Sequence, residues 1–271
     1  MEGAAELTSP SNPRVKALVR LRTRRARDEL AQTLIEGHDE LRLALEAGVR
    51  PSELFYAPAL IRDDQRTLAD AARAAGASIT SVSVPVFKKI AYRESPDGWL
   101  AVAPTPGMPL AEIEAGRNPL ILVCEGIEKP GNLGAMLRTA DAAGADAVIS
   151  AAPVTDFGNP NAVRASKGTV FVVPVASARS EDVLGWLRQH GIMIAVTTPQ
   201  GTTRLSDAGL AGPVGLVIGA ESTGVTDLWL EQADMTLMIP MHGRVNSLNA
   251  ATAAALALYE ANRQRADQAS A

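Results

Sequence analysis

The stretch Arg244-Val-Asn-Ser-Leu-Asn-Ala-Ala-Thr-Ala-Ala-Ala-Leu256 sets three polar side chains, Asn246, Ser247 and Asn249, at the mouth of an otherwise apolar, alanine-rich run. The free N–H groups of a first helical turn need acceptors, and Ser247 or Asn246 can cap this one. A cap accounts for one polar residue, so the surplus points to a polar ligand held at a helix N-terminus. The same mixture of an apolar run and a polar, glycine-containing turn recurs in Pro119 to Arg138 and in Val214 to Gly224, where it presents Asn132, Arg138 and Glu221. Two of them have a plain structural use: a surface ion pair for Arg138, a carboxylate at a helix N-terminus for Glu221. Asn132 and Arg138 are about 600° of helical rotation apart and do not share a face. Asn132 then belongs near the helix start, with Arg138 reaching from two turns in.

Other chemistries fail on spacing. Gly126-Ile-Glu-Lys-Pro-Gly131 has the glycine spacing of a phosphate loop, but Asn132-Leu133 stands where Lys-Ser/Thr is required. No G-x-G-x-x-G follows the strand before it, and no G-x-S-x-G nucleophile elbow occurs. His38, His190 and His242 are too scattered for a metal set, and no Cys/His pair has zinc spacing, so no metal is expected. The lone Cys124 lies in the apolar run Leu120 to Cys124 and reads as a buried, inert thiol.

The elements that must position Asn132, Arg138, Glu221, Ser247 and Asn249 alternate. Strand candidates at 119–124, 146–150, 170–173, 192–197, 214–218 and 235–239 are separated by helical segments at 131–143, 160–167, 180–189, 226–232 and 247–263. This pattern predicts an α/β fold, a parallel sheet with helices on both faces. Ligands bind beyond the carboxyl ends of such strands, where all three polar clusters fall. Ahead of it, residues 12–48 read as helices and residues 54–103 as a small α/β unit: strands at 54–56 and 78–82, a helix at 63–75, a short one at 86–91 and a closing run at 98–103. The composition of Pro104-Thr-Pro-Gly-Met-Pro109 marks a linker. The chain from Arg265 onward reads as a frayed tail.

Hydrophobic residues make up 46% and charged residues 21% of the 271, the balance of a soluble globular protein. No segment approaches the roughly 18 apolar residues of a membrane span. Met1 to Glu6 carry acid where a secretory signal carries base, which predicts the cytoplasm. The net charge of −4 argues against a protein that coats nucleic acid. One local exception runs from Arg14 to Arg27, where Arg14, Lys16, Arg20, Arg22, Arg24, Arg25 and Arg27 have no acid among them. This run is either a phosphate-binding face for RNA or the solvated side of a helix with Val15, Leu18, Val19 and Leu21 inward.

Asn132-x-Gly134-x-x-x-Arg138, then Ile218-Gly-Ala-Glu-Ser-Thr-Gly224, then Ile239-Pro-Met241 followed by Asn246-Ser-Leu-Asn-Ala250 resemble, in order and separation, the three motifs of the SpoU family of S-adenosylmethionine-dependent RNA 2′-O-ribose methyltransferases. The resemblance covers residues 106 to 264. Residues 8 to 103, with Thr8-Ser-Pro-Ser-Asn-Pro-Arg-Val-Lys16 and Leu34-Ile-Glu-Gly37, resemble the L30e-like substrate-binding domain found ahead of it. The resemblance implies an L30e-like domain in 1–103, a linker in 104–109 and, in 110–271, a trefoil-knot domain, an exception to the rule that chains avoid knots. It places S-adenosylmethionine against Thr197, Thr198, Pro199, Ile218, Gly219, Ala220, Ile239, Met241, Ser247, Leu248 and Ala250. It makes Arg138 the catalytic residue, oriented by Glu221 and Asn132, with Ser247 and Asn249 ordering the knot. It implies a homodimer through the knot domain and Asn132 serving either its own or the partner chain. Arg164 and Lys167, in Arg164-Ala-Ser-Lys-Gly168, become candidate RNA contacts. The implied substrate is 23S ribosomal RNA; the alternatives are tRNA, or an RNA-binding assembly factor of the same fold without catalysis.

Overall fold

Pro13 occupies the first turn of α1 (Pro13–Arg20), and the Asn12 side chain accepts from the Arg14 N–H at 2.9 Å. Val15, Leu18 and Leu21 are buried, which turns Arg14, Lys16 and Arg20 outward. Thr23 caps α2 (Arg24–Leu30), which stops at Ala31 in the left-handed region (φ 51°). β1 (Gln32–Glu36) follows, so the helical reading of 12–48 is corrected at its centre. Thr33 through Glu36 are all buried, and a strand covered on both faces has no alternation to betray it. Then come α3 (His38–Glu46), β2 (Glu53–Tyr56), α4 (Thr67–Ala74), β3 (Ser78–Ser81), α5 (Val84–Ile90) and β4 (Trp99–Pro104). The helix expected at 63–75 is divided: Asp63–Gln65 form a separate 3₁₀ turn. The sheet order is β1-β4-β2-β3, with β2 and β3 parallel and the other pairs antiparallel. Val15, Leu34, Phe55, Phe87 and Leu100 fill its core.

The remaining elements are β5 (Leu120–Glu125), α6 (Pro130–Ala142), β6 (Ala147–Ala151), α7 (Pro160–Ala165), β7 (Val175–Ala178), α8 (Ser180–Gln189), β8 (Met193–Thr197), β9 (Thr203–Arg204), β10 (Val214–Ile218), α9 (Asp227–Gln232), β11 (Met235–Met238) and α10 (Ala250–Ala269). This computed structural model describes residues 6–245 and 247–269, so Asn246 lies outside the described residues. The chain forms two units, one running to Pro106 with Phe157–Val172 added, the other made of Gly107–Asp156 and Val173 onward. In the first unit α7 lies on β1, the Thr33 hydroxyl donates to the Gly158 carbonyl, and the 3₁₀ turn Thr169–Phe171 packs on α3. That turn replaces the strand expected at 170–173. Gly168 enters it at φ 86°, and the strand forms only after Pro174, as β7.

The second unit is built on a sheet in the order β7-β6-β5-β10-β8-β11-β9, with every neighbouring pair parallel. Leu120 to Glu125 and Val214 to Ile218 are buried throughout, as central strands covered on both faces must be. Because β5, β10, β8 and β11 run the same way, their carboxyl ends share one edge of the sheet. The chain leaves β11, between β8 and β9, and returns as α10 against α6 and β10. α10 begins at Ala250: the Asn249 side-chain oxygen accepts from the Ala251 N–H at 2.9 Å and its carbonyl from Ala253 at 3.0 Å. Asn249, rather than Ser247, is therefore the cap. The frayed tail expected from Arg265 is also corrected, since Arg265 donates to the carbonyls of Asn118, Pro119 and Gly212 and holds the helix to the sheet.

Candidate active site

A cavity of about 860 Å³ opens at the shared strand edge of the second unit. Thr197, Thr198 and Pro199 line it after β8, Ile218, Gly219 and Ala220 after β10, Ile239 and Met241 after β11, and Ser247, Leu248 and Ala250 at the approach to α10. The turn after β10 is closed on itself: Ala220 and Gly224 exchange backbone hydrogen bonds of 3.2 and 2.9 Å, with Gly224 at φ 70°. A Cβ on Gly219 would strike the backbone of Gly224 and Val225, so only glycine permits this closure. Sequence reasoning missed Val225, Leu237 and Arg244, which also line the cavity. Leu237 lay inside a recognised strand; Val225 and Arg244 carried no signal beyond adjacency to the motifs.

At the rim, Glu221 accepts from the Asn249 amide and pairs with the Lys129 ammonium, while the Asn249 amide also donates to the Asn132 side-chain oxygen at 3.2 Å. The Lys129 hydrogen bond, and then Asn132, hold the Glu221 carboxyl below the usual carboxylate range; reciprocally, Lys129 is raised. The structure thus joins Asn132, Glu221 and Asn249. It gives Glu221 a partner, Lys129, that sequence reasoning passed over inside the rejected phosphate-loop match. Arg138 is exposed two turns along α6 from Asn132 and makes no side-chain hydrogen bond or ion pair among the described residues. Ser247 is exposed at the cavity. A cluster that gathers a carboxylate, an ammonium and two amides at a cavity rim, with an unengaged guanidinium nearby in sequence, can orient an anionic, hydroxyl-bearing substrate but supplies no nucleophile of its own. Burial pushes the Cys124 thiol far up, so it stays protonated.

Residues 119–259 match the SpoU rRNA Methylase family, and residues 12–101 match the MRM3-like substrate binding domain. The chain belongs to the SpoU rRNA methylase family. It is 30% identical to a 23S rRNA (guanosine(2553)-2′-O)-methyltransferase of Bacillus subtilis over 94% of this chain and 98% of that one. A crystal structure of an RNA 2′-O ribose methyltransferase is 40% identical, with a TM-score of 0.85, covering 97% of this chain and all 100% of the other. An AdoMet-bound rRNA methyltransferase from Sinorhizobium meliloti is 31% identical, with a TM-score of 0.88 over 96% of this chain and 97% of that one.

In this SpoU-family chain the candidate RNA contacts fall in the first unit and are mostly engaged. Arg14 pairs with Glu53, and Arg20 and Arg25 meet Glu29 at 3.4 and 2.7 Å. Arg24 meets Asp28 at 3.6 Å. Arg22 donates to the carbonyls of Lys89 and Ala91, both at 2.8 Å, and lies over the Tyr92 ring. Lys16 is exposed. Arg164 is half-buried at the end of α7, and Lys167, at φ 57°, approaches the buried Glu40 at 3.6 Å. The acids absent between Arg14 and Arg27 thus stand at the next two positions, Asp28 and Glu29, and at Glu53. Among the described residues no group of three or more His, Cys, Asp or Glu could hold a metal, and no helix is long and apolar enough to cross a membrane.

Proposed function

We propose that this chain is an S-adenosylmethionine-dependent RNA 2′-O-ribose methyltransferase acting on 23S ribosomal RNA in the cytoplasm. The observation that carries this reading is the cavity: all eleven residues on which the family resemblance places the methyl donor line it. Its size falls in the range of small-molecule sites. Its chemistry fits the donor too. Ile218, Leu237, Ile239 and Leu248 offer an apolar slot for a nucleoside, Gly219 leaves backbone exposed to it, and Glu221 and Asp227 put carboxylates where a cationic ligand benefits. S-adenosylmethionine, when bound, supplies a methyl group on a positively charged sulfur. The names of the relatives support the ribose hydroxyl and ribosomal RNA as acceptor.

The residues of the chain have two tasks, to place a ribose 2′-oxygen in line with that methyl and to ease removal of its proton. An arginine side chain keeps its proton under ordinary conditions, so Arg138 grips the adjacent phosphate and hydroxyl rather than acting as a simple base. Asn132, Glu221 and Asn249 fix the rim against which the ribose is set, and Ser247 orders the approach to α10. In this reading residues 1–103 bind substrate, 104–109 link, and 110–271 carry the knot and the chemistry. Leu256 and Tyr259, exposed on α10, support a second copy pairing through the knot domain.

The test is methyl transfer from labelled S-adenosylmethionine to 23S ribosomal RNA and to tRNA, with 2′-O-methyl mapping of the product. Label in ribosomal RNA that vanishes in Arg138→Ala while donor affinity persists is the expected result. Label in tRNA alone overturns the substrate, and donor binding without transfer to either overturns the enzyme.

A further inference from the structure

Three side-chain contacts, in antiparallel order, join the end of β5 and the segment after it to the turn after β10. At one end Glu125, only 3% exposed, accepts from the Thr226 N–H at 2.9 Å, the Thr226 hydroxyl at 2.7 Å and the Ser180 hydroxyl at 3.3 Å. In the middle the Ser222 hydroxyl donates to Glu128 at 3.0 Å. At the other end Lys129 pairs with Glu221. Between these fastened points lie Thr223, Gly224 and Val225, which line the cavity. The turn has few other ties, chiefly the Asn249 amide on Glu221. Residues 221 to 224 are exposed, and its own backbone contributes the single Ala220–Gly224 bridge. Such a tip opens at low free-energy cost unless side chains tie it down.

The Glu125 end is the stronger anchor. A buried carboxylate needs its donors, and a charged acceptor makes stronger hydrogen bonds than a neutral one. The Ser180 hydroxyl in turn accepts from the indole N–H of Trp229 at 3.3 Å, and Trp229 is fully buried in α9. The start of α9 is therefore locked to the end of β5.

We infer that Glu125, Glu128 and Lys129 are positioning residues that hold the 219–226 turn as a preformed wall of the methyl-donor cavity. A wall already ordered spares the donor the cost of ordering it, so these ties govern donor affinity. The inference rests on the proposed identity of the cavity's ligand.

The test uses the full chain. Thr226→Val removes the hydroxyl at nearly constant shape and keeps the backbone bond to Glu125; Ser222→Ala removes the tie to Glu128; Thr226→Ser keeps the hydroxyl. S-adenosylmethionine affinity is measured by calorimetry, affinity for a 23S ribosomal RNA fragment by filter binding, and folding by thermal melting. The double variant Thr226→Val, Ser222→Ala is expected to weaken donor binding about tenfold, equivalent to about 1.4 kcal/mol, with RNA affinity unchanged and Thr226→Ser close to wild type. A loss below about threefold overturns the inference, as does a parallel loss of donor and RNA affinity, which marks general destabilisation. Failure of the wild-type chain to bind S-adenosylmethionine instead overturns the reading of the cavity itself.

Discussion

The side-chain amide of Asn249 donates to the side-chain oxygen of Asn132 at 3.2 Å across 117 positions of sequence. This contact ties the first turn of α6 to the residue that caps α10, and the same Asn249 amide also reaches Glu221. One side chain thus closes a helix with its oxygen and assembles the rim of the cavity with its nitrogen.

Replacing Asn249 by serine separates those two duties. Serine caps helices about as well as asparagine, whereas loss of a cap altogether costs about 0.5–2 kcal/mol. The serine variant is expected to melt close to wild type and to lose methyl transfer by about tenfold or more, because Glu221 and Asn132 lose their shared donor. Asn249→Ala is expected to lose both. Equal activity in the serine variant and wild type shows that Asn249 only caps.

Lys129 sets the acid-side behaviour of Glu221. Its hydrogen bond is the largest cause that holds the Glu221 carboxyl below the ordinary glutamate value. A carboxyl lowered by folding contributes stability that is present above its unfolded value and is lost as pH falls through its folded value. Lys129→Met returns Glu221 toward the ordinary range. The melting-temperature gap between wild type and Lys129→Met is therefore expected to be largest above the ordinary glutamate range and to narrow on acidification through the lowered value. A gap that stays constant across that range refutes the coupling.

The second unit was readable because its central strands are covered on both faces. Leu120 to Cys124 and Val214 to Ile218 are unbroken apolar runs bounded by turns, and the polar clusters sit at their ends. The same burial hid β1, whose Thr33-Leu34-Ile35 core shows no alternation between two helices. Lys129 escaped notice because its partner Glu221 is 92 positions away, a distance that no local spacing encodes. Arg265 escaped for the same reason, since its acceptors lie at Asn118, Pro119 and Gly212. Local sequence reports which residues an element carries; it does not report which distant carbonyl or carboxylate a long side chain will find.

Gly219 is expected to tolerate no side chain. The Cβ of Gly219→Ala would collide with the backbone of Gly224 and Val225, which cannot yield as a flexible side-chain tip does. Overpacking of this kind costs about 1–3 kcal/mol. Here the displaced atoms also form the cavity wall, so donor affinity by calorimetry should fall with stability. Gly209→Ala is the control, since an added Cβ there meets nothing within 4 Å. Donor affinity retained in Gly219→Ala means that the turn does not touch the donor.

The arginines at the end of α1 and the start of α2 give the sharpest test of the first unit. Arg20 and Arg25 meet Glu29, and Arg24 meets Asp28, all on exposed side chains. Exposed pairs of this kind are worth about 0–1 kcal/mol, so phosphate can displace the carboxylates at little cost. The carboxylates nevertheless compete for the same guanidinium groups. Asp28→Asn with Glu29→Gln should therefore tighten RNA binding and steepen its salt dependence, by a slope of about 0.7 for each added single-strand phosphate contact. Changing Arg20, Arg24 and Arg25 together to alanine should do the reverse, with little change in melting temperature. Filter binding across a salt series reads both. If neither variant moves the affinity or the slope, these arginines face only solvent and their own acids, and RNA binding by this unit must pass through other residues, with the exposed Lys16 next to be tested.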